Sequence, residues 1–394
     1  MEVVFFFFLI GSILTIGFFA DYIFKKYCIP DVIILLLVGL TLNFFGFQLL
    51  PSNMLPIFSA LALMFILFEV GTELKFYYLI KEIPKASLLA FTIFLISTIF
   101  STIISIFILN FSFKIALLLG AIVGGSSSTI VAPIMSKLKI SNNIKSLLTI
   151  ESALTDALCV LVVITILESL VFTGDIGLTK LSNEIISAFS IAIVLGFIFG
   201  LIWLNILPKI EKYEYYYLLT IGMLFFVYSL TEIFGGIGAI SSFIFGIVLG
   251  NVGQISKILY IKDVKPLTPT TNTFHKLIVF IIRTFFFVVL GLIIAISNYM
   301  LFLYGILLTL VLFVIRFIFS KIIAFGPNKV EDYLIAIMMP RGLAAAVLAP
   351  LPYIQYKITE TFFFPDIVFS VILISSVISF IGLLVLEKKT NSKI

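Results

Sequence analysis

Apolar runs of about 20 residues recur along the whole of this chain, and that recurrence constrains its fold more than any motif does. A run of that length crosses the roughly 30 Å hydrocarbon core of a bilayer as an α-helix, whereas barrel strands would show segments of about ten residues with alternating polarity. The chain therefore reads as an all-α polytopic membrane protein. Composition agrees, with 62% of residues hydrophobic and 11% charged, against about 25% charged in a soluble domain. Thirteen candidate spans are centred near Ser12, Leu37, Ala62, Ser97, Gly125, Asp156, Ile193, Met223, Phe245, Phe285, Leu310, Arg341 and Ile374. The longest polar interruption, about Asn251 to Asn272, leaves no room for a soluble domain between them.

Charge placement gives the expected topology. An odd number of spans puts the termini on opposite sides. Nineteen lysines fall on the side of the first interhelical loop and three, Lys114, Lys180 and Lys357, on the other, which predicts a cytoplasmic C-terminus and an N-terminus outside the cell membrane. The basic excess is thus a topological signal, so the implied partner is the lipid bilayer and not nucleic acid. The first span begins at Val3 without a positive segment before it and is expected to stay in the mature chain. Cys28 at a helix boundary and Cys159 inside a span suggest no disulfide. No HExxH, P-loop or Cys/His cluster is present, so neither enzyme chemistry nor a cofactor is expected.

Ion chemistry points to the sixth span, where Thr149-Ile150-Glu151-Ser152-Ala153-Leu154-Thr155-Asp156-Ala157 lies inside an otherwise apolar run. Each intramembrane charge costs about 2.5–3.5 kcal/mol on insertion scales, so such carboxylates are kept where they act. On a helix Ser152 and Asp156 share one face, and Glu151 and Thr155 share the next. Oxygen ligands of this kind suit a hard cation or a proton. A carboxylate so placed could instead pair with an arginine to hold helices together; Asp156 reads more readily as the ion site, Glu151 as the paired acid. Glu69, in the unbroken third span, is open to either role.

Two spans carry interruptions at membrane depth. Gly124-Gly125-Ser126-Ser127-Ser128-Thr129 occupies the middle of the fifth, with Pro133 a turn later, and Pro340-Arg341-Gly342 the middle of the twelfth. Gly weakens a helix by about 1 kcal/mol relative to Ala, and Ser and Thr compete for backbone hydrogen bonds, so each run predicts a break. Broken backbone in a membrane is tolerated where its freed groups line a protein cavity. Paired breaks seven spans apart predict inverted repeats of six helices, spans one to six repeating as eight to thirteen with the seventh as connector. Arg283, also mid-span, must face a cavity or a carboxylate, whereas Arg316 and Asp366 lie nearer to span ends and are expected to snorkel.

With these residues in view, the chain resembles the monovalent cation/proton antiporter superfamily, most nearly the NhaP-type sodium/proton antiporters. The resemblance rests on Ile29-Pro30 and Gly39, Phe68-Glu69, Gly120 to Pro133, Glu151-Ser152-Ala153-Leu154-Thr155-Asp156, Gly236 to Gly250 and Pro340-Arg341-Gly342. It implies a NhaA/NhaP-like fold with crossed broken helices and exchange of Na⁺ (or Li⁺) for H⁺. By the same resemblance Asp156 alternately binds cation and proton, with Na⁺ held at Asp156, Ser152 and Glu69 and with Thr155, Ser126 and Ser127 in the same site. Glu151 is expected to pair with Arg341 and brace the broken helices, and Arg283 and Thr129 to be auxiliary. The family works as a homodimer in which a core bundle slides past a fixed dimerisation domain. Residues 1–110 and 215–297 would then be mainly dimerisation-side helices, 111–173 and 299–387 mainly core, and 184–208 the connector. Two departures stand out. Thr155 replaces the usual Asn, and Ser126-Ser127 stand where a Thr-Asp pair is usual, so the Ser-Ser-Ser-Thr run is also similar to the potassium-efflux branch. The alternatives are accordingly a K⁺/H⁺ antiporter and a non-transporting membrane sensor. Neutral Thr155 and a permanently charged Arg283 leave one proton carrier, which predicts electroneutral one-for-one exchange.

Overall fold

The computed structural model describes residues 2–27, 30–46, 55–73, 76–138, 140–171, 178–210, 213, 215–258, 269–293, 299–323 and 329–390. Cys28, Ile29 and residues 259–268 of the polar interruption lie outside the described residues. The first half of the chain forms α1 (Glu2–Tyr27), α2 (Asp31–Phe44), α3 (Leu55–Glu73), α4 (Phe76–Leu109), α5 (Phe113–Ile122), α6 (Ser128–Lys137) and α7 (Asn142–Val171). There follow α8 (Leu178–Ile210), α9 (Tyr216–Ile233), α10 (Gly238–Gly250), α11 (Val252–Ile258) and α12 (Pro269–Ile293). The chain closes with α13 (Tyr299–Ile323), α14 (Lys329–Ile337), α15 (Leu343–Leu348), α16 (Leu351–Ile354) and α17 (Phe364–Thr390). Among the described residues no strand occurs.

Each apolar segment read from the sequence carries a helix or a broken helix. Among the described residues, six stretches are long and apolar enough to cross a membrane: Phe7–Lys26, Ala86–Leu109, Asn143–Leu170, Ile186–Ile210, Tyr299–Lys321 and Thr359–Leu386. The fifth and twelfth segments are interrupted as expected, the first between α5 and α6 and the second between α14 and α15.

The chain divides by its internal contacts into two compact units. One comprises Met1–Phe58, Pro84–Val163 and Ile281–Ile394. In it α13 packs along α17 and α14, α15 lies on α17 and α5, and α1 lies on α2. An apolar cluster joins Phe24 of α1, Leu89 and Ile93 of α4, Ile130 and Ile134 of α6, Leu148 of α7, Leu334 of α14 and Leu386 of α17. Helix α4 presents a buried hydroxyl face, Ser97, Thr98, Ser101, Thr102 and Ser105, and Ser105 Oγ lies 2.7 Å from the Tyr304 hydroxyl of α13. Against that face stand Gly120 and Gly124, where a Cβ would meet the Thr98 carbonyl and the Thr98 and Thr102 side chains. Small residues let helix backbones approach in this way where lipid offers no hydrophobic drive.

The other unit comprises Ser59–Ile83 and Ile164–Phe280, with α10 packed on α8 and α9. The Glu232 carboxylate at the end of α9 accepts a 2.7 Å bond from the Gly238 amide and so caps the start of α10. Glycine contacts recur in both units. A Cβ on Gly39 of α2 would overlap the Val288 carbonyl of α12, and one on Gly291 the Leu36 carbonyl; likewise Gly71 of α3 meets the Phe243 carbonyl of α10, and Gly246 the Phe68 carbonyl. The first is a contact of the second span with the tenth, the other of the third with the ninth. Exchange of the two repeats expected from the sequence would convert one into the other.

Candidate functional site

At the first break the chain leaves the helix after Ile122 and re-enters at Ser128. Its freed amides are used one by one. Ser126 N–H donates to Thr155 Oγ1 (3.1 Å), Ser127 N–H to the Pro340 carbonyl of the second break (2.8 Å), and Ser128 N–H to Asp156 Oδ2 (2.8 Å). The second break reciprocates: the Arg341 guanidinium donates to the Gly125 carbonyl, and the Arg341 amide to Ser375 Oγ of α17 (2.9 Å). The two interruptions therefore cross and satisfy each other, as buried backbone requires.

Helix α7 crosses beside them and delivers its two carboxylates to different surroundings. Asp156, 5% exposed, accepts both the amide and the hydroxyl of Ser128 on Oδ2, the latter at 2.7 Å, at the N-terminal end of α6 where the helix dipole favours an anion. Glu151, fully buried, accepts two N–H bonds from the Arg316 fork, Nη1 to Oε1 at 3.0 Å and Nη2 to Oε2 at 2.8 Å, and a third from the Ser126 hydroxyl at 3.0 Å. Thr155 Oγ1 lies 3.2 Å from both the hydroxyl and the carbonyl of Ser126. What the crossing offers a ligand is thus a carboxylate, hydroxyls and backbone oxygens, a hard donor set.

Two expectations are corrected. The partner of Glu151 is Arg316, not Arg341, because α13 turns Arg316 inward and the planar fork fills both carboxylate oxygens. Arg316 accordingly does not snorkel: it is 1% exposed, and its Nε also donates to the Ile335 carbonyl at 2.8 Å. Arg341, equally buried, serves a freed carbonyl instead.

The other sites read from the sequence fall as follows. Ser126 and Thr155 are brought to the crossing with Asp156. The Ser127 and Thr129 hydroxyls face each other at 3.0 Å, and Ser127 packs against Gly342. Ser152 is fully buried but its hydroxyl donates to the Thr149 carbonyl of its own helix (3.0 Å). Glu69 is partly buried on α3 in the other unit. Arg283 pairs with Asp31 (2.6 Å), which supplies the carboxylate that its mid-span position requires. Sequence reasoning missed Ser128, Arg316 and Asp31. For the first the signal was present in the Ser-Ser-Ser-Thr run; for the others it was an unexplained charge in, or opening, an apolar run.

The sequence matches the family described as sodium/hydrogen exchanger, transmembrane, over residues 4–386. The chain belongs to that family. A protein named probable Na(+)/H(+) antiporter 2 from Methanocaldococcus jannaschii is 29% identical over 283 residues, 68% of this chain and 64% of that protein. The Na(+)/H(+) antiporter ApNhaP of Aphanothece halophytica is 28% identical over 57% of this chain and 43% of its own length. A K(+)/H(+) antiporter named NhaP2 from Shewanella sp. is 26% identical over 62% of this chain and 44% of its own. The matches thus span less than two thirds of the length of these relatives. Among solved structures, the sodium proton antiporter MjNhaP1 from Methanocaldococcus jannaschii at pH 8 shares the fold, with a TM-score of 0.75 at 24% identity over 99% of this chain and 98% of that one.

Proposed function

We propose that this chain is a secondary transporter that exchanges Na⁺ or Li⁺ for H⁺ across the cell membrane by competition at Asp156. The supporting observation is the unequal treatment of two carboxylates five residues apart. Glu151 is neutralised by the Arg316 fork, whereas Asp156 sits at the crossing of two broken helices with Ser128. A carboxylate bound by exchangeable donors can take a cation or a proton in turn; one clamped by a guanidinium cannot. Coupling then requires that the ionised, empty site cross the apolar barrier less readily than the loaded or protonated one. In this reading 111–173 and 299–387 carry the site, 1–110 and 215–297 form the dimerisation side of a homodimer, and 184–208 connects them. Ser152, one turn before Asp156 on α7, adds a hydroxyl to the cation shell in this reading. The lysine distribution supports an N-terminus outside and a C-terminus in the cytoplasm.

Exchange is one for one in this reading. Asp31 and Arg283 cancel, as do Glu151 and Arg316, so Asp156 is the group that changes charge. K⁺ is the second cation to consider, since Ser126-Ser127 stand where the family resemblance implies a Thr-Asp pair, and the chain is also similar to a K(+)/H(+) antiporter. The test is proton flux in proteoliposomes driven by Na⁺, Li⁺ or K⁺, with the membrane potential set independently. Asp156→Asn should abolish the flux with the protein still folded. Retained flux in that variant, or a rate that shifts severalfold over roughly 100 mV, a field worth about 2.3 kcal/mol per charge, overturns the mechanism. A sensor would move no ion at all.

A further inference from the structure

Helix α6 ends where α1 ends, and Lys137 bonds the end of one to the end of the other. We propose that Lys137 is a positioning residue of the cation site: it pins the C-terminal end of α6 to the last carbonyls of α1 and thereby fixes where the other end of α6 presents Ser128 to Asp156. The proposal rests on the antiport reading for what the site binds. Lys137 Nζ donates to the Phe24 carbonyl at 3.0 Å and to the Lys25 carbonyl, and lies 5.5 Å above the Phe24 ring. The last carbonyls of a helix have no partner within it and carry its negative dipole end, so one ammonium here serves two helix termini at once. Phe24, 4% exposed, is itself locked into the apolar cluster with Ile130, Ile134 and Leu138, so the acceptor is fixed to the surface along which α6 lies.

Helix α6 has ten residues, about 15 Å, and Pro133 removes one of its few internal bonds. Its buried face, Ile130, Val131, Ile134 and Met135, seats it sideways in the apolar cluster, and polar contacts fix its position along its own axis. At one end are the two donors of Ser128 on Asp156, at the other Lys137; just beyond, the Ser141 hydroxyl donates to Glu331 of α14 at 2.8 Å. A helix hardly compresses along its axis, so any axial slip that the loss of Lys137 permits is carried to the Ser128 donors at the other end. Lys137 touches neither the cation nor Asp156 in this scheme.

The test compares Lys137→Met and Lys137→Arg with the wild type in the full chain. Apparent Na⁺ affinity is read twice, from the Na⁺-dependent rise in melting temperature in detergent and from KM in proteoliposomes. Lys137→Met should weaken affinity by about two- to fivefold in both, the scale of one charge at a helix terminus, with Vmax per folded protein unchanged. Lys137→Arg should restore it, since a guanidinium reaches the same carbonyls. Lys137→Gln, which loses the charge and is one bond shorter, stands in if the Met variant is not recovered folded, and the same weakening is expected of it. Unchanged affinity with a lower melting temperature makes Lys137 a purely structural contact and overturns the proposal, as does a loss confined to Vmax. The melting arm needs binding only, so a wild type that binds Na⁺ without moving protons sinks antiport while the affinities still decide the role of Lys137. A wild type stabilised by none of Na⁺, Li⁺ and K⁺ overturns both.

Discussion

Replacing Arg316 by Met should be the most damaging single change at the crossing, and the geometry says by how much. Glu151 and Arg316 are both essentially inaccessible and joined by two N–H···O bonds. Removing one partner of such a pair leaves a buried charge and costs on the order of 3–5 kcal/mol. The third bond adds to this. Ile335 lies in the last turn of α14, where the break diverts the Met339 amide to the Ile337 carbonyl, so the Arg316 Nε–H fills the place of a helical donor. Orphaning that carbonyl costs about 1–3 kcal/mol. Arg341→Met removes the guanidinium donor to the neutral Gly125 carbonyl, so it should cost about 1–3 kcal/mol. Arg316→Met with Glu151→Gln removes both charges and should return to about the same small loss. The assay is thermal unfolding in detergent with the monodisperse fraction measured by size exclusion. The reasoning fails if the double variant is as unstable as Arg316→Met alone, or if Arg341→Met is the worst of the three.

Other outcomes follow from the same contacts. Ser128→Ala leaves the amide but removes the hydroxyl on Asp156, and should raise the cation KM severalfold with little change in melting temperature; an unchanged KM would detach Ser128 from the site. Gly125→Ala places a Cβ against Cys159 Sγ and the Thr155 carbonyl, so folded yield should fall, and Cys159→Ala in the same chain should restore only part of it because the carbonyl cannot give way. Asp31→Asn strands Arg283, but that side chain is 16% exposed and water offsets part of the loss. Its destabilisation should therefore stay below that of Arg316→Met in the same melting assay.

The breaks at 124–129 and 340–342 were legible because they depend on local chemistry: glycines and hydroxyls that a helix tolerates poorly, in runs too apolar to be loops. The buried position of Asp156 was legible for a related local reason, a charge inside an apolar run. Partners were not, because choosing between Arg316 and Arg341 for Glu151 requires knowing which helices are neighbours, and the acid and its arginine are 165 residues apart. Arg316 misled further because α13 continues to Ile323, so a residue placed near the end of the apolar run lies two turns inside the helix. Asp31 opens α2 directly after Pro30, an ordinary place for an acid, and its partner is 252 residues away. Ser128 was hidden among three serines, since which hydroxyl reaches Asp156 depends on the residue at which α6 begins.

The bond from the Ser127 amide to the Pro340 carbonyl has a consequence for how the protein is made. Its two ends leave the ribosome more than two hundred residues apart, roughly 10–40 s at usual rates of synthesis. Through that interval the first break has reached the bilayer without the acceptor for one amide and without the guanidinium for one carbonyl. Water, lipid headgroups or the insertion machinery must hold it until the second repeat arrives. A first repeat expressed alone should be a short-lived guest of the membrane, open to quality-control proteases, and co-expression of the second repeat as a separate polypeptide should extend its lifetime.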